Sequence, residues 1–324
     1  MVVARFRVRK SLNRPPSCAD VVLALDVARL ALGTSFLAWG AVSDLRTRRV
    51  ADRVWIVMGI FATVLFAVQI AAEGDLPAMY LAIVPSVALF FSVFYGRDIV
   101  DEHGWHAAVG HITAYIAAAL SAIAGWFLLA GVPGGQAQFL AFLSAAGMML
   151  VFRLFYQLRL LRGGADAKAL MAIALMVPTY PTIPTLVPID PRIATTLNIV
   201  FPFSFLVLLN AAFLFVFVPI ALFAYNTSRR HAKLPEGLFG IRVPVDAVPK
   251  FSWLMDRIVA GRHIVYLMPR AETNRDDDLS ALREAGFSEV WVTPQVPFIV
   301  AIAIGYVLSF LVGNVLVGIV RAVG

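Results

Sequence analysis

Two carboxylates, Asp44 and Asp166, stand at the water-facing ends of separate apolar runs. Asp44 closes the run 31–42 and is followed by the basic stretch Leu45-Arg46-Thr47-Arg48-Arg49. Asp166 follows a small-residue turn, Gly163-Gly164-Ala165, and opens the apolar run 168–177. A carboxylate at membrane depth is costly, so its retention points to function. Two carboxyls a few ångströms apart cannot both ionise, and such a pair holds one proton between them. The ionised member can take a proton from water. The protonated member can hydrogen-bond a developing oxyanion and then protonate a leaving amine. That is the chemistry of peptide hydrolysis. Gly163, Gly164 and Ala165 add no bulk beside Asp166, so an extended backbone could approach it closely.

Each aspartate alone has a plainer reading. An Asp after glycines is commonly a helix N-cap, and Asp44 with Arg48 makes an i, i+4 ion pair. The pairing of the two carries the chemical argument. It requires that both emerge on one side of whatever separates them.

Composition says what that is. Of 324 residues, 60% are hydrophobic and 15% charged, against about 45–50% apolar in soluble domains. Mean hydropathy is +0.82. A span needs about 20 mostly apolar residues, and the candidates are 22–43, 54–72, 78–95, 107–131, 137–160, 166–179, 197–225 and 296–320. The fold class is therefore an all-α polytopic membrane protein of about eight transmembrane helices. Four crossings separate Asp44 from Asp166, which returns both to the same face.

Charge sets the orientation. The net charge of +7 could point to nucleic acid, yet no reading module is present and none is expected as a partner. The arginines instead gather beside span ends, in loops 44–53 and 153–168 and after residue 229. By parity these share one face, and the positive-inside rule makes it cytoplasmic. The basic arm 1–21 dissents, since it would lie outside. A cleaved signal peptide is not favoured there, because the first apolar run continues past a usual h-region.

Residues 226–295 break the apolar pattern and are expected to form a small cytoplasmic α+β domain inserted before the last helix, residues 296–324. Strands are expected at 239–245, 264–268 and 289–292, with a helix over 276–285 stopped by Gly286. The membrane part is 22–225 and carries both aspartates. The lone Cys18 excludes an internal disulfide and a cysteine-cluster zinc site.

Other residues are less telling. His103, His106 and His111 match no ligand spacing, so no metal site is expected. Asp98, Asp101 and Glu102 read as a solvated loop able to attract a basic segment. Lys168 and Asp166, two apart on a helix, do not face each other. Asp26 and Arg29 read as a local i, i+3 pair. Trp39, Trp55, Trp105, Trp126 and Trp291 read as interface-belt residues.

The stretch Gly163-Gly164-Ala165-Asp166-Ala167-Lys168-Ala169-Leu170 resembles the second catalytic motif of the archaeal preflagellin (prearchaellin) and type IV prepilin peptidases, membrane aspartyl proteases of the GxGD type. Ser43-Asp44-Leu45-Arg46-Thr47-Arg48-Arg49-Val50 resembles the first motif, and Trp291-Val292-Thr293-Pro294-Gln295-Val296-Pro297-Phe298 resembles the start of the last span in archaeal members. The likeness runs from about residue 31 onward.

The resemblance implies a multi-pass cell-membrane enzyme whose cytoplasm-facing site is the pair Asp44 and Asp166, with no metal or organic cofactor. Its partners would be membrane lipids and archaellin or pilin-like precursors. These are cut between a short basic leader and the following apolar helix. The chain departs from the family's name pattern at Ala165, where that pattern has Gly and archaeal members often vary, and at Ala51-Asp52, where many relatives have Pro-Asn. The separation of 122 positions between the aspartates implies an inserted helical hairpin within 78–131. Nothing matches the zinc loop and methyltransferase region of bacterial relatives, so N-methylation is not expected. Two other readings stand beside this one. A presenilin or signal-peptide-peptidase relative would carry Tyr before Asp44 and a Pro-Ala-Leu segment in the last span. A proton-coupled transporter would carry midplane carboxylates and repeat symmetry.

Overall fold

The computed structural model describes residues 18–73, 76–94, 100–101, 104–105, 109–161, 163–188, 191–267, 269 and 275–323. The first helices are α1 (Cys18–Thr47), α2 (Asp52–Ala72) and α3 (Ile83–Ser92), the last preceded by a 3-10 turn, Pro77–Ala82. A two-residue ribbon follows, β1 (Val100–Asp101) and β2 (Gly104–Trp105), then α4 (Val109–Leu128), α5 (Gly135–Gln157) and α6 (Gly164–Met176). Next come α7 (Pro191–Val200), α8 (Phe203–Phe215), α9 (Phe217–Ser228) and the single turn α10 (Glu236–Phe239). The small domain holds β3 (Ile241–Pro244), β4 (Ser252–Leu254), β5 (Asp256–Val259), β6 (Arg262–Val265), α11 (Arg275–Glu284) and β7 (Glu289–Pro294). The chain closes with α12 (Phe298–Leu311) and α13 (Val315–Val323).

α6 is apolar on every side after its first turn, and such a helix must be buried all round. It is the centre of the bundle, touching α1, α2, α3, α5, α8 and α12. Residues 169–176 are buried without a break. The surrounding helices turn apolar side chains outward, among them Trp39, Ile60, Leu120, Phe127 and Ile220. So large an exposed apolar surface belongs against lipid, and the protein is a membrane protein.

Four helices among the described residues are long and apolar enough to cross a bilayer: Ala19–Thr47, Asp52–Ala72, Gly135–Gln157 and Phe203–Ser228. Pro77–Ser92, Ile112–Leu128 and Phe298–Leu311 are shorter apolar helices. α6 has 13 residues, or about 20 Å at 1.5 Å each, less than the ~30 Å of hydrocarbon. Extended chain continues it, and Leu186 and Val187 donate their N–H groups to the carbonyls of Leu311 and Val312. Such backbone is tolerated at depth only where protein satisfies it.

Two expected spans are interrupted. The run 197–225 breaks between α7 and α8, where Pro202 caps α8 and supplies no N–H to continue the preceding helix. The run 296–320 breaks at Gly313, whose φ of 85° ends α12.

The small domain is α+β. β7 is central, antiparallel to β3 on one side and β4 on the other, with Ile241 opposite Val292 and Ser252 opposite Pro294. Val245, Leu254, Leu279, Leu282, Val290 and Val292 form its core. The expected strand 264–268 is displaced to Arg262–Val265, because Ala260 and Gly261 both take positive φ and turn a β5–β6 hairpin there. The strand expected at 239–245 shortens to Ile241–Pro244, Phe239 belonging to α10. β4 and β5 were not foreseen.

Trp39 and Trp126 are exposed on the helical surface, whereas Trp55 is fully buried and Trp291 lies inside the β-sheet, so neither of these two is a belt residue. Trp55 fits against Gly40 of α1, where an added Cβ would come within 2.9 Å of its ring. The pair Asp26–Arg29 exists, at 3.3 Å, and it is deeply buried. Arg29 also donates to Gln69 Oε1 at 2.6 Å, and Asp26 Oδ2 accepts from Thr182 N–H and Oγ1 at 2.6 and 2.8 Å.

Candidate active site

The end of α1 builds one wall. Arg48 takes a left-handed conformation, φ 55°, directly after the last helical residue, Thr47. Its N–H donates to Asp44 O at 2.9 Å. Ser43 Oγ and Thr47 Oγ1 both donate to Arg49 O, at 2.8 and 2.9 Å. These bonds fold the basic stretch back over the helix end, beside the Asp44 carboxyl.

The start of α6 builds the other wall. Gly163 is the extended N-cap residue, and its carbonyl accepts from Asp166 N–H at 3.1 Å. The Asp166 carboxyl curls back over Gly163. A Cβ there would collide with Asp166 Oδ2 and lie 2.9 Å from its Cγ. Gly163 is thus required by its neighbour's side chain, a second use beyond access for a substrate.

The two walls meet. Asp44 and residues 48–50 on one side, and residues 163–166 on the other, line one open-sided cavity of about 320 Å³. At ~30 Å³ per water molecule it has room for about ten. The two carboxyls interact electrostatically across it, and Arg48 interacts with Asp44. Asp44, Gly163, Gly164, Ala165 and Asp166 are therefore brought together.

Lys168 is directed elsewhere. Its Nζ donates to Asp52 Oδ1 at 2.6 Å and lies 5.2 Å from the centre of the Phe94 ring. Asp52 stands in the first turn of α2, so this ion pair ties the second motif's helix to the residues just after the first motif. Asp52 was noted in the sequence only as a departure from Pro-Asn, and that departure was the available signal. Phe251, from the small domain, was missed altogether. Its ring lies 5.2 Å from the Arg48 guanidinium carbon. Asp98, Glu102, His103 and His106 lie outside the described residues, as do the side chains of Asp101, Trp105 and His111.

Residues 232–315 match the family model described as Archaeal Peptidase A24 C-terminus Type II. The chain is 30% identical over 190 residues to the preflagellin peptidase of Methanocaldococcus jannaschii, covering 56% of this chain and 75% of that protein. It is 30% identical over 186 residues to the preflagellin peptidase of Methanococcus voltae, covering 55% and 75%. The chain belongs to the preflagellin peptidase family. The preflagellin peptidase of Methanococcus maripaludis is a further relative, 27% identical over 181 residues. Membership makes the protein a peptidase, and aspartic chemistry fits the peptidase family named by the matching model. In this member of the preflagellin peptidase family, the region matched by that model takes in the small domain and α12, including Phe251 against the cavity wall.

Proposed function

We propose that this protein is a membrane aspartyl endopeptidase that removes the short basic leader from archaellin or pilin-like precursors, with Asp44 and Asp166 as its catalytic pair. The observation that carries the reading is that these two residues, far apart in the chain, line one cavity of about 320 Å³.

One carboxylate removes a proton from a water molecule in that cavity. The resulting hydroxide adds to the scissile carbonyl carbon, and the protonated partner donates a hydrogen bond to the new oxyanion. Collapse of the tetrahedral species breaks the C–N bond. The amine nitrogen takes the proton of that protonated partner, while the other carboxyl keeps the one gained from water. The pair ends with one proton, as it began.

The chain crosses the membrane eight times in this reading. The four long helices, three shorter apolar helices and α6 with its extended continuation supply the crossings, within 22–225 and 296–324. Residues 226–295 are a cytoplasmic domain. Arg46, Arg48, Arg49 and Arg53 crowd the dyad's end of the bundle, which supports a cytoplasm-facing site.

The test is cleavage of a leader-bearing precursor by purified protein in liposomes, with products read by mass spectrometry. Asp44→Asn and Asp166→Asn are each expected to abolish cleavage while keeping the wild-type unfolding temperature. Persistent cleavage by either variant defeats the assignment.

A further inference from the structure

A second and larger cavity, of about 1310 Å³, lies among α3, α4, α5 and α6. Its walls are mostly apolar, with Leu89, Leu143 and Met171 among them, and several lining residues are small, including Ala118 and Gly147. Gly164 borders both this groove and the dyad's cavity. Near that end, Arg153 Nη1 donates to Tyr115 Oη at 2.5 Å, bridging α5 to α4.

We propose that this groove seats the first turns of the precursor's apolar helix, holding the scissile bond at the dyad. The inference rests on the reading of Asp44 and Asp166 as the catalytic pair. Three features favour a helix as the occupant. At about 10 Å across and 1.5 Å per residue, about three turns of helix fill the observed volume. Small residues on the walls let a second helix backbone approach closely, as in helix pairs within membranes. The groove meets the catalytic cavity at Gly164, two positions from Asp166. A chain leaving the groove there reaches the carboxyls with its helix ended and its backbone extended. A cut immediately before an apolar helix needs that arrangement.

Gly147 gives the test, because an added Cβ there meets no atom within 4 Å, so bulk enters the groove without disturbing packing. Full-length protein in liposomes is assayed on two substrates, an intact precursor and a soluble peptide that spans the cut but lacks most of the apolar helix. For Gly147→Trp, kcat/KM on the precursor is expected to fall at least about tenfold, mainly through KM, with peptide cleavage unchanged. Equal wild-type rates on both substrates overturn the groove assignment. Failure of the wild-type protein to cut either substrate sinks the catalytic reading instead.

A second measurement covers loss of both activities in Gly147→Trp. In a Cys18→Ser, Asp166→Asn background, Gly147→Cys is expected to form a disulfide with a cysteine placed in the first three turns of the precursor helix. A groove filled by lipid gives no such disulfide, and that result overturns the proposal.

Discussion

Lys168 Nζ meets Asp52 Oδ1 at 2.6 Å across 116 positions of the chain. Asp52 is 52% exposed and Lys168 is 24% exposed, so the pair contributes under about 1 kcal/mol to stability. Its effect is positional, since α2 follows directly from the stretch that walls Asp44 while α6 begins beside Asp166. Displacing either wall by an ångström separates groups that act on one water molecule in the proposed mechanism, and misplacement on that scale costs up to about a hundredfold.

Asp52→Ala and Lys168→Ala are each expected to lower kcat/KM by about three- to tenfold, with little change in unfolding temperature. The exchange Asp52→Lys with Lys168→Asp is expected to recover part of that loss. A double-mutant cycle on kcat/KM measures the coupling, and strictly independent losses would remove the positioning role.

Gly163→Ala is expected to reduce kcat by about a hundredfold, because its Cβ would occupy the space of the Asp166 carboxyl. Gly164→Ala is the control. The nearest atom to a Cβ at that position is Tyr156 Oη at 3.6 Å, an ordinary contact that leaves the Asp166 carboxyl in place, so kcat is expected to hold and any loss to fall on KM, through crowding of the substrate backbone.

The pH dependence follows from one proton shared by two carboxyls. Below the first apparent pKa both are protonated and no base remains, so kcat/KM rises with pH along that limb. Above the second both are ionised and no acid remains, so it falls again. A bell-shaped profile on a soluble peptide is expected, its two values belonging to the pair. A profile with a single limb between pH 3 and 9 would deny the shared proton.

Asp26→Asn leaves the Arg29 guanidinium buried without its charge partner, a change that costs about 3–5 kcal/mol in buried pairs. Its unfolding temperature in detergent is expected to fall well below that of the double variant Asp26→Leu, Arg29→Met. The two carboxamide and apolar replacements separate loss of a pair from exposure of a lone charge.

That Asp44 and Asp166 line one cavity was legible because a carboxyl pair is recognisable by residue type, and the parity of the apolar runs led to the expectation of a shared face. Partners set by tertiary packing were not. Trp55 has the composition and position of a belt residue, yet Gly40 on α1 opens a slot for it, and sequence does not say which helices lie side by side. Pro202 and Gly313 were visible interruptions, overridden because hydropathy averages across them. β4 and β5 are three and four residues long, too short for alternation to register. Lys168 was excluded from Asp166 correctly by helical spacing, but its partner on α2 lay beyond any local rule.

Through Phe251 and Arg48 the small domain reaches the wall of the Asp44–Asp166 cavity, and in the proposed mechanism that makes it a piece of the scissor rather than a handle on it. An antibody fragment or small molecule gripping the outer side of loop 248–251 would deform the cleft from behind. Inhibition by that route needs no group that competes for the aspartates, and so leaves unrelated acid proteases untouched.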